Sequence, residues 1–499
     1  MSKYDSFENC VIKATKTDDK KRNTAESNDE NVFVKNKILE IPLHFGFITK
    51  ESENFENGTG IVDISFHSVY KITGKDRYEW LTKITSQTFV KHSEDYSKEA
   101  LILNPQGHVI FAINVLVLKD YMLVMPQELL PNINENIETI SKTGTQNNIT
   151  NFEKYFEKKP AENKREVHDV AKKNILDGFF AETNLGNFLK KMIFMADICI
   201  ENISETLETI CVMGDLNADY IEKIKIELSE NNLKMLGVYT DPWPNMGAKN
   251  VTYYNVEENR KLFENLQIED YTKIENTIKD ITHPATGKKL NIIFVQNEIM
   301  SNFGDNNKSA FEILCKKYAP CGIYAFVASN IIRYRPWGVC AQKLLPHEVD
   351  WLRTAVQINK GCYCGQETVA RIVNIGKPPR RLVKLYLDGM DALEDLDSNI
   401  YVIKNDEKIK IGEILFMGVH HDEGLIALGL IKRNFHFDNS HVTNNSAKSF
   451  IEKTDFLLND KICVGNVAAT IEDIVNIYGE STASIDSERI KIIRKNRLR

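Results

Sequence analysis

Lys360–Arg371 reads KGCYCGQETVAR, and this stretch decides the fold. It sets Cys362 and Cys364 one residue apart in a polar loop, with Lys360 and Arg371 as flanking cations. Gly361 and Gly365 let the backbone turn tightly and approach a ligand. Neighbouring cations favour the thiolate form of a cysteine. Gln366 and Glu367 add directional hydrogen-bonding groups. On chemistry alone, Cys362 is either a reactive, ligand-contacting thiol or a structural cysteine in a turn. Cys364 has three readings: half of a strained disulfide, half of a metal-ligand pair, or an incidental small residue. The last is preferred. In a locally extended loop, residues two apart face the same side, so the two thiols would be neighbours.

The rest of the chain narrows the setting. Its 499 residues suffice for several domains, and 42% apolar with 27% charged residues is ordinary for a globular protein. The net charge of −7 gives no basic excess for a nucleic-acid groove, so no direct DNA binding is expected. The terminal RIKIIRKNRLR is a local basic tail, read first as a frayed end and second as a contact for an acidic partner. Nine scattered cysteines do not form a secreted disulfide framework and read as reduced thiols of a cytoplasm. No apolar run approaches the roughly 20 residues of a membrane span. The polar, acid-containing N-terminus resembles neither a secretory nor an organellar leader. Cytoplasmic localisation without membrane association is therefore expected.

Patterning along the chain suggests an α+β protein ending in a small β domain. Residues 1–36 read as a mobile polar tail. Residues 37–130 read as a first α+β module: GIVDISFHSVYKITG as strands, KDRYEWLTKITSQ as a helix with Tyr78, Leu81 and Ile84 on one face, and NPQGHVIFAINVLVLKDYMLVMP as two strands joined at Lys119-Asp120. Residues 131–377 read as a second α+β module, with polar insertions near 135–180 and 252–289. In it NFLKKMIFMADICIENI and LETICVMGD are a helix leading into strands. FEILCKKYAPCGIYAFVASNIIRYRPWG is a helix followed by strand-like segments. After Pro378-Pro379, residues 378–499 carry short β runs such as LVKLYLD, GEILFMGV and GLIALGLIKRN, as in an antiparallel barrel or sandwich.

Several tempting motifs fail. GTGIVD is a partial dinucleotide fingerprint without strand–helix context. HEVDW lacks the second histidine of a zinc protease, because Trp351 stands there. VHHDEG, with His420 and His421, lies between two β runs and reads as a hairpin turn. Cys315 and Cys321 have no second pair at metal-ligand spacing and read as partly buried thiols. No metal ligands are assigned.

KGCYCGQETVAR closely resembles the signature K-G-C-aromatic-x-G-Q-E-x-x-x-R of the YgfZ folate-binding proteins, relatives of the glycine cleavage T-protein (GcvT, aminomethyltransferase). The likeness extends through PHEVDWLRTAVQINKGCYCGQETVARIVNIGKPPRRLVKLYLDG, in the manner of the actinobacterial-type branch, and covers roughly 40–130, 185–250 and 290–435. It implies a three-module folate-binding fold with a C-terminal antiparallel β-barrel. It implies tetrahydrofolate or a derivative as ligand, and iron–sulfur client proteins, such as tRNA-thiolating radical enzymes, as partners. Lys360, Gly361, Cys362, Gly365, Gln366, Glu367 and Arg371 fall on signature positions, with Tyr363 at the aromatic one. The resemblance makes Cys362, with Lys360 and Arg371, the functional group, and places the rest of the loop against the cofactor. Cys364 falls on the variable position.

Two departures bear on activity. Phe111 and Ala112 stand where aminomethyltransferases carry acids, which argues against a folate-dependent aminomethyl or one-carbon transferase. In IIRYRPWG, Arg333 keeps an arginine of the folate cleft, while Arg335 replaces an acid. A guanidinium cannot accept from a pterin N–H, so Arg335 is expected to meet the glutamate tail of folate instead. A third reading, a scaffold holding a cluster on Cys362 and Cys364, supplies too few thiolates without a partner.

Overall fold

The computed structural model describes residues 11–16, 38–127, 137–140, 184–246, 250–256, 283–297, 309–337, 344–388, 399–404, 406–436, 455–456 and 461–483. The chain enters through a three-stranded sheet. β1 (Val11–Lys16) lies between β2 (Ile38–His44) and β8 (Ile137–Ile140), antiparallel to both. This corrects two expectations. The tail contains a strand, and the first polar insertion supplies its partner. VIKATK is short and alternating, and β2 gives its backbone a ladder. The rest of the tail and of that insertion, and the basic C-terminal tail, lie outside the described residues.

α1 (Ile48–Glu56) leads to β3 (Gly60–Asp63), and β4 (Tyr70–Thr73) ends at Gly74, whose φ of +105° makes the turn. α2 (Arg77–Ile84) follows as expected. β5 (Tyr96–Leu103), β6 (Val109–Val117) and β7 (Met122–Pro126) then form an antiparallel meander. Together with β9 (Cys199–Asn202) they build a sheet in the order β5-β6-β7-β4-β9. α2 and α3 (Leu185–Lys191) cover one face. Trp80, Leu81, Phe188 and Leu189 pack there with Ile102 and Phe111, and the Trp80 indole N–H donates to the Met192 carbonyl at 2.7 Å.

β10 (Leu207–Met213), β11 (Leu233–Thr240), β12 (Leu290–Asn297) and the short β13 (Ala319–Cys321) join β3 in a second sheet, ordered β11-β12-β10-β3-β13. α4 (Ala218–Glu230) and α5 (Ala310–Leu314) bury Ile224, Leu228, Phe311 and Leu314 against Ile210, Val212 and Ile293. The expected boundary near residue 130 therefore cuts through both sheets: β3 crosses into the second, and β9 returns to the first. The ends of the second polar stretch are also interior, with Thr252, Tyr253 and His283 buried.

IYAFVASNII, read as strand-like, is a helix, α6 (Ile323–Ile332), buried at all ten positions. A continuously apolar run has no face to reveal its period, so a buried helix and a buried strand look alike in sequence. Gly418 of the barrel strand beside it lets the backbone of Ala328 approach: a Cβ there would sit 3.2 Å from the Ala328 Cα. α7 (Gln366–Ile375) begins inside the cysteine motif.

The C-terminal region closes as expected into an antiparallel barrel. Its strands are β14 (Arg380–Leu387), β15 (Asn399–Lys404), β16 (Glu407–His420), β17 (Gly424–Lys432), β20 (Lys461–Val464) and β21 (Val467–Asp473). They run in the order β14-β17-β16-β15-β20-β21, with Leu385, Ile400, Met417, Leu428 and Val464 in the interior. β18 (Phe435–His436) and β19 (Asp455–Phe456) pair apart from it. Arg380 docks the barrel on the preceding segment with a two-pronged ion pair, Nε and Nη2 each 2.8 Å from a Glu348 oxygen. No helix among the described residues is long and apolar enough to cross a membrane.

Glu51 fastens three chain segments. Its carboxylate accepts from the backbone N–H groups of Phe45 (2.8 Å), Phe47 (3.2 Å) and Gly322 (2.9 Å), joining the exit of β2, α1 and the start of α6. Replacing it leaves three backbone donors, one of them fully buried, without that acceptor. Glu51→Ala is expected to lose at least about 2 kcal/mol, read as a lower denaturant midpoint with an unchanged slope.

Candidate functional site

The cysteine loop is built on the N-terminus of α7 and held from three sides. Gly365, the residue before the helix, has φ +80°, and a Cβ on it would come within 2.7 Å of the Asn104 carbonyl oxygen. Gly107, also left-handed at φ +81°, faces Thr368 equally closely, with a Cβ 2.9 Å from that side chain. The NPQG turn between β5 and β6 thus nests against the first turn of α7. Two segments remote in sequence meet where neither tolerates a side chain. On the second side, Lys360 Nζ donates to the carbonyls of Thr82 (2.5 Å) and Thr85 (2.6 Å) and lies 4.7 Å from the centre of the Tyr363 ring. On the third, Gln366 Nε2 donates back to the Lys360 carbonyl at 3.2 Å and closes the loop on itself.

Within this frame the side chains alternate: Cys362 is exposed, Tyr363 buried and Cys364 partly covered. Both thiols are free. Burial pushes the Cys364 thiol up, away from the thiolate. Burial also brings the Lys360 ammonium down, to about 8, partly opposed by its attraction to Cys362. The hydrogen bonds of Lys360 go to the end of α2. Gly361 is exposed, with nothing near its missing Cβ. Glu367 and Arg371 lie on the exposed side of α7. The structure thus brings Lys360, Cys362, Tyr363, Gly365 and Gln366 into one unit and leaves Glu367 and Arg371 at its solvent edge.

Arg333 and Arg335 belong to a different place. Both are fully buried. Arg335 donates to Glu99 Oε1 through Nη1 (2.6 Å) and to Asp241 through Nη2 (3.1 Å) and Nε (3.2 Å). Arg333 Nη2 lies 2.5 Å from the second Asp241 oxygen. The Arg335 guanidinium also lies over the rings of Trp243 (4.8 Å) and Trp337 (5.3 Å), and Arg353 covers Trp243 at 4.3 Å. Glu99 accepts further from Gln127 (2.8 Å) and Thr354. Burial opposes ionisation of Asp241, but Arg335 and Arg333 outweigh it and hold its carboxyl below the usual range. The expectation that Arg335 meets a folate tail is therefore corrected: each of its three nitrogens is bonded to an interior carboxylate. The compensating acids, Glu99 and Asp241, lie far from Arg335 in sequence. Their signals were a lone acid amid the apolar run of β5 and an aspartate opening DPWP.

Phe111 is buried among the side chains under α2 and α3, and Ala112 lies on the adjacent strand position. Neither supplies an ionisable group, as read.

Neither a protein-family profile nor a curated protein sequence matches the chain. Among solved structures, glycine cleavage system aminomethyltransferase T from Bartonella henselae is similar over 88% of this chain and 90% of its own, with 11% identity and a TM-score of 0.47. That likeness identifies neither substrate nor acting residues.

Two outcomes follow from the loop and its support. Gly365→Ala forces a side chain into a left-handed position against a carbonyl. It is expected to cost about 1–3 kcal/mol, seen as a lower melting temperature. His347, buried beneath α7, donates from Nε2 to the Val369 carbonyl at 3.1 Å. Burial brings its imidazole down from 6.5 to about 4. Between those values the unfolded chain binds the extra proton, so this histidine makes stability fall as the pH drops from 6.5 towards 4. His347→Gln is expected to remove that part of the slope, measured by denaturant titrations across this range.

Proposed function

We propose that the protein is a tetrahydrofolate-linked accessory factor that supports iron–sulfur enzymes, with Cys362 as its working thiol. One observation carries this reading: Cys362 is exposed on a loop fixed from three sides. A rigid scaffold that holds a thiol out in solvent suits action on another macromolecule. Turnover of a small molecule calls instead for a cleft that excludes water. Cys364 is the more covered of the pair, with its thiol pushed up, which fits an incidental role.

The resemblance of KGCYCGQETVAR to the YgfZ signature supplies the client class, enzymes that carry iron–sulfur clusters, of which tRNA-thiolating radical enzymes are one kind. It also supplies the ligand, tetrahydrofolate or a derivative. A one-carbon transferase finds less support. Phe111 and Ala112 carry no acid, and the buried acids nearest in kind, Glu99 and Asp241, are committed to arginines.

The test pairs two measurements. In a strain lacking the protein, the wild-type gene is expected to restore client-enzyme activity, and Cys362→Ala is not. Pure protein is then titrated anaerobically with tetrahydrofolate. Saturable binding of equal affinity in wild type and Cys362→Ala places the thiol downstream of folate. Full restoration by Cys362→Ala would overturn the thiol's role, and no binding by either protein would overturn the folate assignment.

A further inference from the structure

We propose that Glu56, His420 and His421 form a binding site for a divalent transition-metal ion, distinct from the cysteine loop. The hairpin reading of VHHDEG is correct: β16 and β17 pair from His420 opposite Gly424, and Gly424 takes φ +70° to make the short turn. What the sequence could not show is that the hairpin tip meets the last residue of α1. Glu56 Oε2 lies 2.6 Å from His420 Nε2 and 3.8 Å from His421 Nδ1. One donor atom from each of the three residues falls within 4.8 Å of the other two. A cavity of about 390 Å³ opens beside them, lined also by Met213, Gly214 and Lys288.

His421 points to the ion. Its Nε2 lies 3.4 Å from the Asp422 carboxylate at the exposed turn. Its Nδ1 is buried and has no hydrogen-bond partner. It faces Glu56 Oε2 across 3.8 Å, and the same oxygen accepts the His420 Nε2–H at 2.6 Å. A cation in place of the proton on His420 Nε2 would bring both imidazoles and the carboxylate onto one centre. The spacing approaches that of neighbouring ligands on one tetrahedral ion, given metal–ligand bonds of roughly 2.0–2.2 Å.

Glu56 accepts from His420 at one carboxylate oxygen and from Lys288 at the other. Lys288 Nζ occupies Oε1 at 2.5 Å, and Oε2, which accepts from His420 when no metal is bound, is the oxygen that would meet the ion. His420 is the adjustable member. Its Nδ1 accepts two long hydrogen bonds, from the Asp422 and Glu423 amides at 3.3 and 3.2 Å, so without metal its proton faces Glu56. Ligation through Nε2 requires that proton to move to Nδ1, at the cost of both weak bonds. Two imidazoles and one carboxylate suit zinc, ferrous iron or cobalt better than calcium or magnesium.

The test uses the full-length chain, stripped with a chelator and titrated with Co²⁺ by calorimetry and visible absorption, then with Zn²⁺ in competition. One equivalent is expected to bind. His421→Ala and Glu56→Gln are each expected to weaken binding by about tenfold or more. A Cys362→Ala/Cys364→Ala double variant is expected to bind as wild type does. Lys288→Met keeps all three ligands and removes a neighbouring positive charge, so it is expected to bind the ion more tightly. Circular dichroism confirms that each variant is folded. No saturable binding by wild type would overturn the proposal. So would binding that survives both His421→Ala and Glu56→Gln, or that disappears with the cysteines.

Discussion

The interior is organised around one requirement, that the guanidinium of Arg335 be neutralised without water. It is fully buried and bonds to Glu99 from β5 and to Asp241 from the end of β11. Glu99 in turn accepts from Thr354, a few residues before the cysteine loop, and from Gln127 at the end of β7. Asp241 also holds Arg333, whose carbonyl accepts the Trp243 indole N–H. Such a centre is not a generous source of stability. Desolvating the charges offsets much of their attraction, and its strength is that every partner must be in place at once. It acts as a registration device, aligning the first sheet, the end of the second and the segment leading into the loop.

That device explains what the sequence could and could not tell. The cysteine loop and the barrel strands were legible because their signals are local: glycines at turns, alternation over short runs, and a dense motif. Glu99, Asp241 and Arg335 lie far apart in the chain, and their meaning exists only once they meet. Read singly, Arg335 is a cation in search of an anion, and a folate tail was a reasonable partner. Glu56 and His420 fail to announce themselves for the same reason, being separated by most of the chain. The other failures are of pattern. α6 has no polar face and so no readable period. β1 and β8 lie in stretches whose polar composition masks a few alternating residues.

Interleaved topology also accounts for the misplaced boundary. A contiguous first module would leave β3 without its neighbours β10 and β13, and β4 without β9. The polar segments between these strands lengthen the connections, but loop closure grows only slowly more costly with length. A long insertion is thus compatible with strands that must meet.

The placement of the signature residues separates those that hold the loop from those left at its exposed edge. Gly365 and Gln366 shape and close it, and Lys360 ties it to the end of α2 while Tyr363 buries its ring beneath. None of these four needs a ligand to account for its identity. Cys362, by contrast, is a free and exposed thiol. A serine would serve the turn as well and would not oxidise. The cost of building so constrained a platform falls on the surrounding residues, and what it holds out to solvent, besides Gly361, Glu367 and Arg371, is the sulfur.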